Sequence, residues 1–142
     1  MAKKKSLKNP RLYIAFADVI RNFYSQKTAE LEKLKLKQSQ ARLLHFLSDF
    51  EGSNQQDIAA VFGVGTSTVS ELISALENDG LIVRKVNPDN KRMVFVNLTD
   101  LGHSHAKEIY RLFEQYCLEY LEGFTQDEVK TLEKLLGKFT GE

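Results

Sequence analysis

Hydrophobic positions along this chain follow two different periods. From Pro10, which suits a helix start, Leu12, Ala15, Phe16, Val19, Ile20 and Phe23 recur at steps of one helical face. The pattern predicts a helix to about Ser25, with a further turn over Thr28–Leu34. A second helix, Ser39–Phe50, turns Leu43, Leu44, Phe46 and Leu47 toward a core and breaks at Glu51-Gly52-Ser53. Asn54 can cap the next helix, with Asp57 three positions on as the acidic half of a capping box.

The rhythm changes between residues 58 and 102. A short helix and turn, Ile58–Gly63, leads into Thr66–Asp79, whose Val69, Leu72, Ile73 and Leu76 form a buried stripe. Gly80 stops that helix. Two β-branched runs follow, Leu81–Val86 and Met93–Leu98, around a turn rich in Asn, Pro and cations, Asn87–Arg92. Helix, turn, helix and a hairpin with a basic tip make a winged helix-turn-helix. One helix is shaped for the DNA major groove, and the loop beside it reaches the minor groove. Thr99 then caps a long helix, Asp100–Leu121, and Thr125-x-x-Glu128 is a capping box for a last one, Gln126–Phe139.

The predicted fold is mainly α with a small β-hairpin wing, a single domain over 1–142. Residues 38–98 form the winged helix-turn-helix reader, and 9–35 and 99–140 form dimerisation helices. The dimer follows from apolar surface. The long helix carries Ile109, Tyr110, Leu112, Phe113, Tyr116, Cys117, Tyr120 and Leu121, and a helix apolar over more than one stripe is buried on more than one side. Only Phe62 and Phe95, of 14 Phe and Tyr, fall within 51–98, so the aromatic mass lies outside the reader. A two-fold protein matches a pseudo-palindromic operator in double-stranded DNA.

Charge complicates this picture. The formal net charge of +1 conceals 11 Lys/Arg against 4 Asp/Glu in residues 1–50, but 4 against 6 in residues 51–98. A slightly acidic reader is unexpected for a surface that grips phosphates. It keeps open an alternative, a winged-helix protein-interaction adaptor without DNA binding. No apolar stretch approaches 18 residues and no h-region follows the N-terminal lysines, which predicts a cytoplasmic protein with no membrane partner. The single cysteine, Cys117, has no partner for an internal disulfide and sits in an apolar stripe, where a buried, unreactive thiol is expected.

The ordered segments QSQARLLHFL, NQQDIAAVFGV, STVSELISALENDGLIVRKVNPDNKR and VNLTDLG, a long helix and FTQDEVKTLEKLLGKF resemble the MarR family of bacterial transcriptional regulators. The resemblance covers about residues 10 to 139. It implies a homodimeric regulator, more specifically a repressor, since blocking polymerase needs no further contact. It also implies a possible class of small-molecule effector, amphipathic or anionic, held between dimer helices and reader.

The residues left to face a groove are Thr66, Ser67, Thr68, Ser70, Glu71 and Ser74, whose short hydroxyls can bond phosphates or base edges. Cations come from Arg84 and Lys85 on the first wing strand and Lys91 and Arg92 at the tip. The family commonly has basic residues in the reading helix, whereas this chain has none from Thr66 to Val83 and places Glu71 where an arginine is frequent. Glu71 either reads a base, accepting from cytosine N4, or faces away from DNA. The family's wing often ends in Asp-x-Arg; here Asn90 and Arg92 hold those places, with Asp89 as a substitute brace. Lys3, Lys4 and Lys5 would add non-specific attraction or form a solvated tail.

Tyr13, Phe16, Phe23, His45, Phe46 and Tyr110 either line an effector cleft or are simply core. His103 and His105, two apart on a helix, point to opposite sides and cannot share a metal. No nucleophile–base pair or phosphate loop points to an enzyme, and no cofactor is implied.

Overall fold

The computed structural model describes residues 11–26 and 28–141, apart from the side chains of Phe23, Tyr24 and Thr140. The expected helix start at Pro10, the lysines Lys3, Lys4 and Lys5 and the Phe23 side chain lie outside them. The elements run α1 (Leu12–Gln26), α2 (Thr28–Lys33), α3 (Gln38–Asp49), β1 (Ser53–Asn54), α4 (Gln55–Phe62), α5 (Thr66–Asn78), β2 (Ile82–Val86), β3 (Val94–Leu98), α6 (Asp100–Tyr120) and α7 (Gln126–Thr140).

Local chemistry sets the helix starts. Asn54 Oδ1 accepts the Asp57 N–H at 2.8 Å, and Thr99 Oγ1 accepts the Gly102 N–H at 3.1 Å. The Thr125–Glu128 capping box forms in both directions, at 3.0 and 3.2 Å. Each bond satisfies an amide that the helix itself leaves without a partner.

The wing has one more strand than the sequence suggests. β1, only two residues long, pairs antiparallel with β3 (Ser53↔Val96, Asn54↔Phe95), giving the order β1-β3-β2. Two residues carry no readable alternation, and Asn54 both pairs in the sheet and caps α4. Glu51, which reads as a helix breaker, accepts the Leu98 N–H through Oε1 at 3.1 Å and so fastens the end of α3 to β3.

The core gathers α3 (Leu43, Leu44, Leu47), α4 (Ile58), α5 (Val69, Ile73, Leu76), the sheet (Ile82, Val96, Leu98) and the first half of α6 (Ala106, Ile109, Leu112). Leu31 and Leu36, ahead of α3, join it. The apolar packing therefore crosses both edges of the 38–98 segment. A fully buried Leu or Ile contributes roughly 1.5–3 kcal/mol, so this shared core holds α6 to the reader as one body.

Within that body the backbone approaches closely at Gly102. A Cβ there would stand 1.9 Å from the Leu81 carbonyl oxygen. Around it, Thr99 N–H donates to Leu81 O at 3.0 Å, and Thr99 Oγ1 donates to Gly80 O at 2.6 Å. The end of α5, the start of β2 and the first turn of α6 meet at this one point.

The terminal helices are different. No side chain described in α1 is buried; Tyr13 is 71% exposed and Ile20 58%. No side chain described in α7 is buried either, and Phe139 remains 74% exposed although it meets Phe16 edge-on at 5.7 Å. On α6 the buried stripe is Gly102, Ala106, Ile109, Leu112 and Tyr116, while Tyr110, Leu118 and Tyr120 are exposed. Cys117 corrects the sequence reading: it lies on this exposed side. The partial burial of its sulfur still pushes the thiol pKa up.

Two outcomes follow from these contacts. Gly102→Ala should destabilise the protein by about 1–3 kcal/mol, since a backbone carbonyl cannot give way as a flexible side chain can; an unchanged Tm in thermal unfolding would contradict the close approach. Cys117 alkylation by iodoacetamide should be slower at pH 7 than that of a free thiol, because a raised pKa reduces the thiolate, and should accelerate as pH rises above the ordinary thiol range. Faster labelling than free cysteine at pH 7 would refute the raised pKa.

Candidate nucleic-acid interface

The turn between α4 and α5 decides what α5 can present. Gly63 closes α4 in the left-handed region at φ 66°, a conformation that costs a side chain energy. The two helices then diverge by 111°, within the range of a helix-turn-helix. α5 starts at Gly65, which offers no side-chain acceptor to the first turn. The N-terminal amides of α5 and the hydroxyls of Thr66, Ser67 and Thr68 therefore sit together, all three residues exposed.

At about 100° per residue, the side opposite Val69, Ile73 and Leu76 is centred on Ser67, Glu71, Ser74 and Asn78. Glu71 is exposed in the middle of that face, so the carboxylate points outward from the core.

The structure separates the predicted cations. Lys85, Lys91 and Arg92 are exposed. Arg84 is half-buried and folded onto α5: its Nη2 donates to Ser70 O at 2.9 Å and Ser74 Oγ at 2.6 Å. Ser70 and Ser74 are half-buried beneath it. Of the hydroxyl set, Thr66, Ser67 and Thr68 are thus open, while the Ser74 hydroxyl is already engaged.

Two asparagines shape the wing tip. Asn87 Oδ1 accepts the Asp89 N–H at 2.9 Å and Asn90 Oδ1 accepts the Arg92 N–H at 3.1 Å. Backbone bonds from Asn87 N–H to Met93 O and from Met93 N–H to Asn90 O close the loop at 2.9 Å each. Asn90 therefore braces the backbone of Arg92, and its guanidinium projects from an ordered turn. Among the described residues no ion pair joins Asp89 to Arg92.

Arg42 was not singled out by the sequence pattern. Its guanidinium lies 4.3 Å above the Phe62 ring centroid, which places an exposed cation at the end of α4, next to the turn into α5. Helical periodicity marks Arg42 only as a polar position, and its partner is 20 residues away. No local signal could have found it.

Of the six aromatic and histidine positions considered for an effector, the five whose side chains are described do not converge on one cleft within one chain. Tyr13 stands exposed on α1. Phe16 meets Phe139. His45 stacks on Tyr110 at 6.0 Å and meets Phe113 at 5.5 Å, while Phe46 contacts Phe50 and Phe62 at 5.0 and 5.6 Å. A recess of about 380 Å³ lies elsewhere, beside Phe124, Thr131 and Leu135. His103 Nε2 is 3.3 Å from Glu51 Oε1, and His105 Nδ1 is 3.0 Å from Leu101 O. Among the described residues no group of three or more His, Cys, Asp or Glu could hold a metal, and no single helix is long and apolar enough to cross a membrane.

The comparisons with known proteins agree with the fold. A model of the MarR family matches residues 34–93, from the end of α2 to the wing tip. The HTH-type transcriptional regulator MgrA of Staphylococcus aureus is 30% identical over 119 residues, covering 84% of this chain and 78% of MgrA. The uncharacterized HTH-type transcriptional regulator YwaE of Bacillus subtilis (strain 168) is 36% identical over 81 residues, 57% of this chain; the match spans about half of that relative, 47% of its length. A MarR family transcriptional regulator of Listeria monocytogenes, solved in complex with a 26mer DNA, superposes with a TM-score of 0.84 at 26% identity, covering 95% of this chain and 89% of that one. With its winged helix-turn-helix and a likeness to MgrA over 84% of its length, the chain belongs to the MarR family of transcriptional regulators.

Proposed function

We propose that the chain is a cytoplasmic homodimer that binds double-stranded DNA sequence-specifically as a repressor, and that it acts by binding and not by catalysis. The observation that carries this reading is an exposed hydroxyl face on α5 flanked by a braced, cationic wing. Thr66, Ser67 and Thr68 meet phosphate and base edges where the α5 amides are open, and the helix N-terminus favours the anion. Glu71 stands in the same face and reads an amino group on a base edge. Arg92 enters the minor groove and Lys91 holds a phosphate. Arg42 and Lys85 supply further phosphate contacts that offset the acidic balance of the reader. The Listeria relative solved with DNA supports the same use of the fold.

Dimerisation rests on the uncovered helices. Residues 9–35 and 99–140 serve as the pairing region around the 38–98 reader, because α1 and α7 present Ile20, Leu135 and Phe139 with too little of their own chain to cover them. Release by a small molecule needs a cleft built by two protomers, since within one chain the described candidates stand apart, Phe16 against Phe139, His45 against Tyr110 and Phe46 against Phe62.

Three outcomes test this reading. Sedimentation should show a dimer at micromolar concentration, and Ile20→Asp should give a helical monomer; a monomeric wild type would overturn the pairing. Phe113, half-buried against the core, is a poorer probe, because a charge there would unfold the protomer itself. In site selection from random DNA, wild-type binding should fall steeply with salt, whereas an adaptor would show no salt-dependent binding at all. Arg92→Ala should weaken operator binding about tenfold, some 1.4 kcal/mol, most strongly with A·T-rich flanks. Lys91→Ala should weaken all sequences equally and lower the salt slope by about one.

A further inference from the structure

Arg84 reads from sequence as one more cation for DNA, yet its contacts run along the flank of α5. Its backbone N–H donates to Glu77 Oε2 at 3.1 Å, while Nη2 reaches Ser70 O and Ser74 Oγ. Positions 70, 74 and 77 step along one flank of α5 at helical spacing. One strand residue therefore grips more than one turn of the reading helix. Its Nε is buried without a hydrogen-bond partner, so the guanidinium is held in this place despite an unsatisfied donor. Reaching a phosphate with Nη2 would break the two bonds that hold it on α5.

We propose that Arg84 is a positioning residue: it fixes the attitude of the wing to the reading helix, and Ser74 serves this clasp and not base readout. This rests on the DNA-binding reading above.

The lever arm shows why the clasp matters. Arg84 lies opposite Val96 in the β2–β3 ladder, and the last pair before the tip is Val86↔Val94. β1 supports β3 only at Phe95 and Val96, so beyond that level the hairpin is a free two-stranded ribbon. Arg92 lies four residues past Val96, about 13 Å at the usual strand rise. A tilt of about 10° at the clasp moves the tip by roughly 2 Å, several times the roughly 0.5 Å spread of hydrogen-bond distances. β2 is also an edge strand, and Glu77 satisfies the N–H that Arg84 would otherwise leave open. The helix that meets the major groove and the loop that meets the minor groove are thereby held in register, so the ordering cost of binding falls.

The test uses full-length protein and the operator selected by the wild type. Affinities are measured over a salt series for wild type, Arg84→Gln, Ser74→Ala, Arg92→Ala and the doubles Arg84→Gln/Arg92→Ala and Arg84→Gln/Ser74→Ala. The clasp predicts about tenfold weaker binding for Arg84→Gln with the wild-type salt slope. It predicts a smaller loss for Ser74→Ala with the same selected sequence. Arg92→Ala should cost several-fold less in the Arg84→Gln background than alone, and Ser74→Ala should add little there. Ser74→Ala is the milder probe if Arg84→Gln does not fold, and its unchanged sequence preference with weakened binding is then the supporting result. A salt slope lowered by about one in Arg84→Gln, with losses additive to Arg92→Ala, would show a direct phosphate contact and overturn the clasp alone. A changed consensus in Ser74→Ala would return that hydroxyl to base readout and overturn its part. A wild type that selects no DNA would overturn the DNA-binding reading and this inference with it.

Discussion

The Leu81 carbonyl is the point on which the other parts bear. Thr99 donates to it, Gly102 lies against it with no room for a Cβ, and Thr99 also holds the Gly80 carbonyl one residue earlier. This joint unites the end of α5, the root of the wing and the first turn of α6. Because interiors are close-packed and transmit strain, a shift of α6 must be felt at the base of both α5 and the wing. Beyond Leu112, α6 still buries Tyr116 but also carries the exposed Leu118 and Tyr120, so the joint connects the reader to the surface expected to pair.

Charge is distributed in a way that follows from the same geometry. α5 has no cation, and Arg84, the cation next to it in sequence, is drawn inward to Ser70 and Ser74. Positive charge is left at the rims: Arg42 over Phe62 at one end of the helix-turn-helix, Lys91 and Arg92 on the wing at the other. The outward centre of α5 is Glu71, so on the proposed reading the phosphate contacts fall to these rims, and they carry no sequence information of their own.

The aromatic residues divide by partner. His45, Tyr110 and Phe113 tie α3 to α6, Phe46 and Phe62 tie α3 to α4, and Phe16 with Phe139 ties α1 to α7. Each group fastens two helices, which explains why so many Phe and Tyr lie outside the reading segment without forming one cleft. The α1–α7 contact is the weakest of these, since both rings keep large exposed areas.

The sequence by itself determined the order of the main helices and the hairpin, the helix caps at Asn54, Thr99 and Thr125, the buried stripe of α5 and the exposure of Thr66, Ser67 and Thr68. These depend on spacing within a few residues, where period and capping chemistry are strong signals. The resemblance carried the family. Only the tertiary structure decided β1, whose two residues have meaning through β3 alone, and the exposure of Cys117, which depends on how far the core reaches along α6. It also decided the fates of the arginines. Nothing near Arg84 or Arg42 in the chain distinguishes a clasp from a free cation, because a long flexible side chain chooses among partners that folding brings from 10 to 20 residues away.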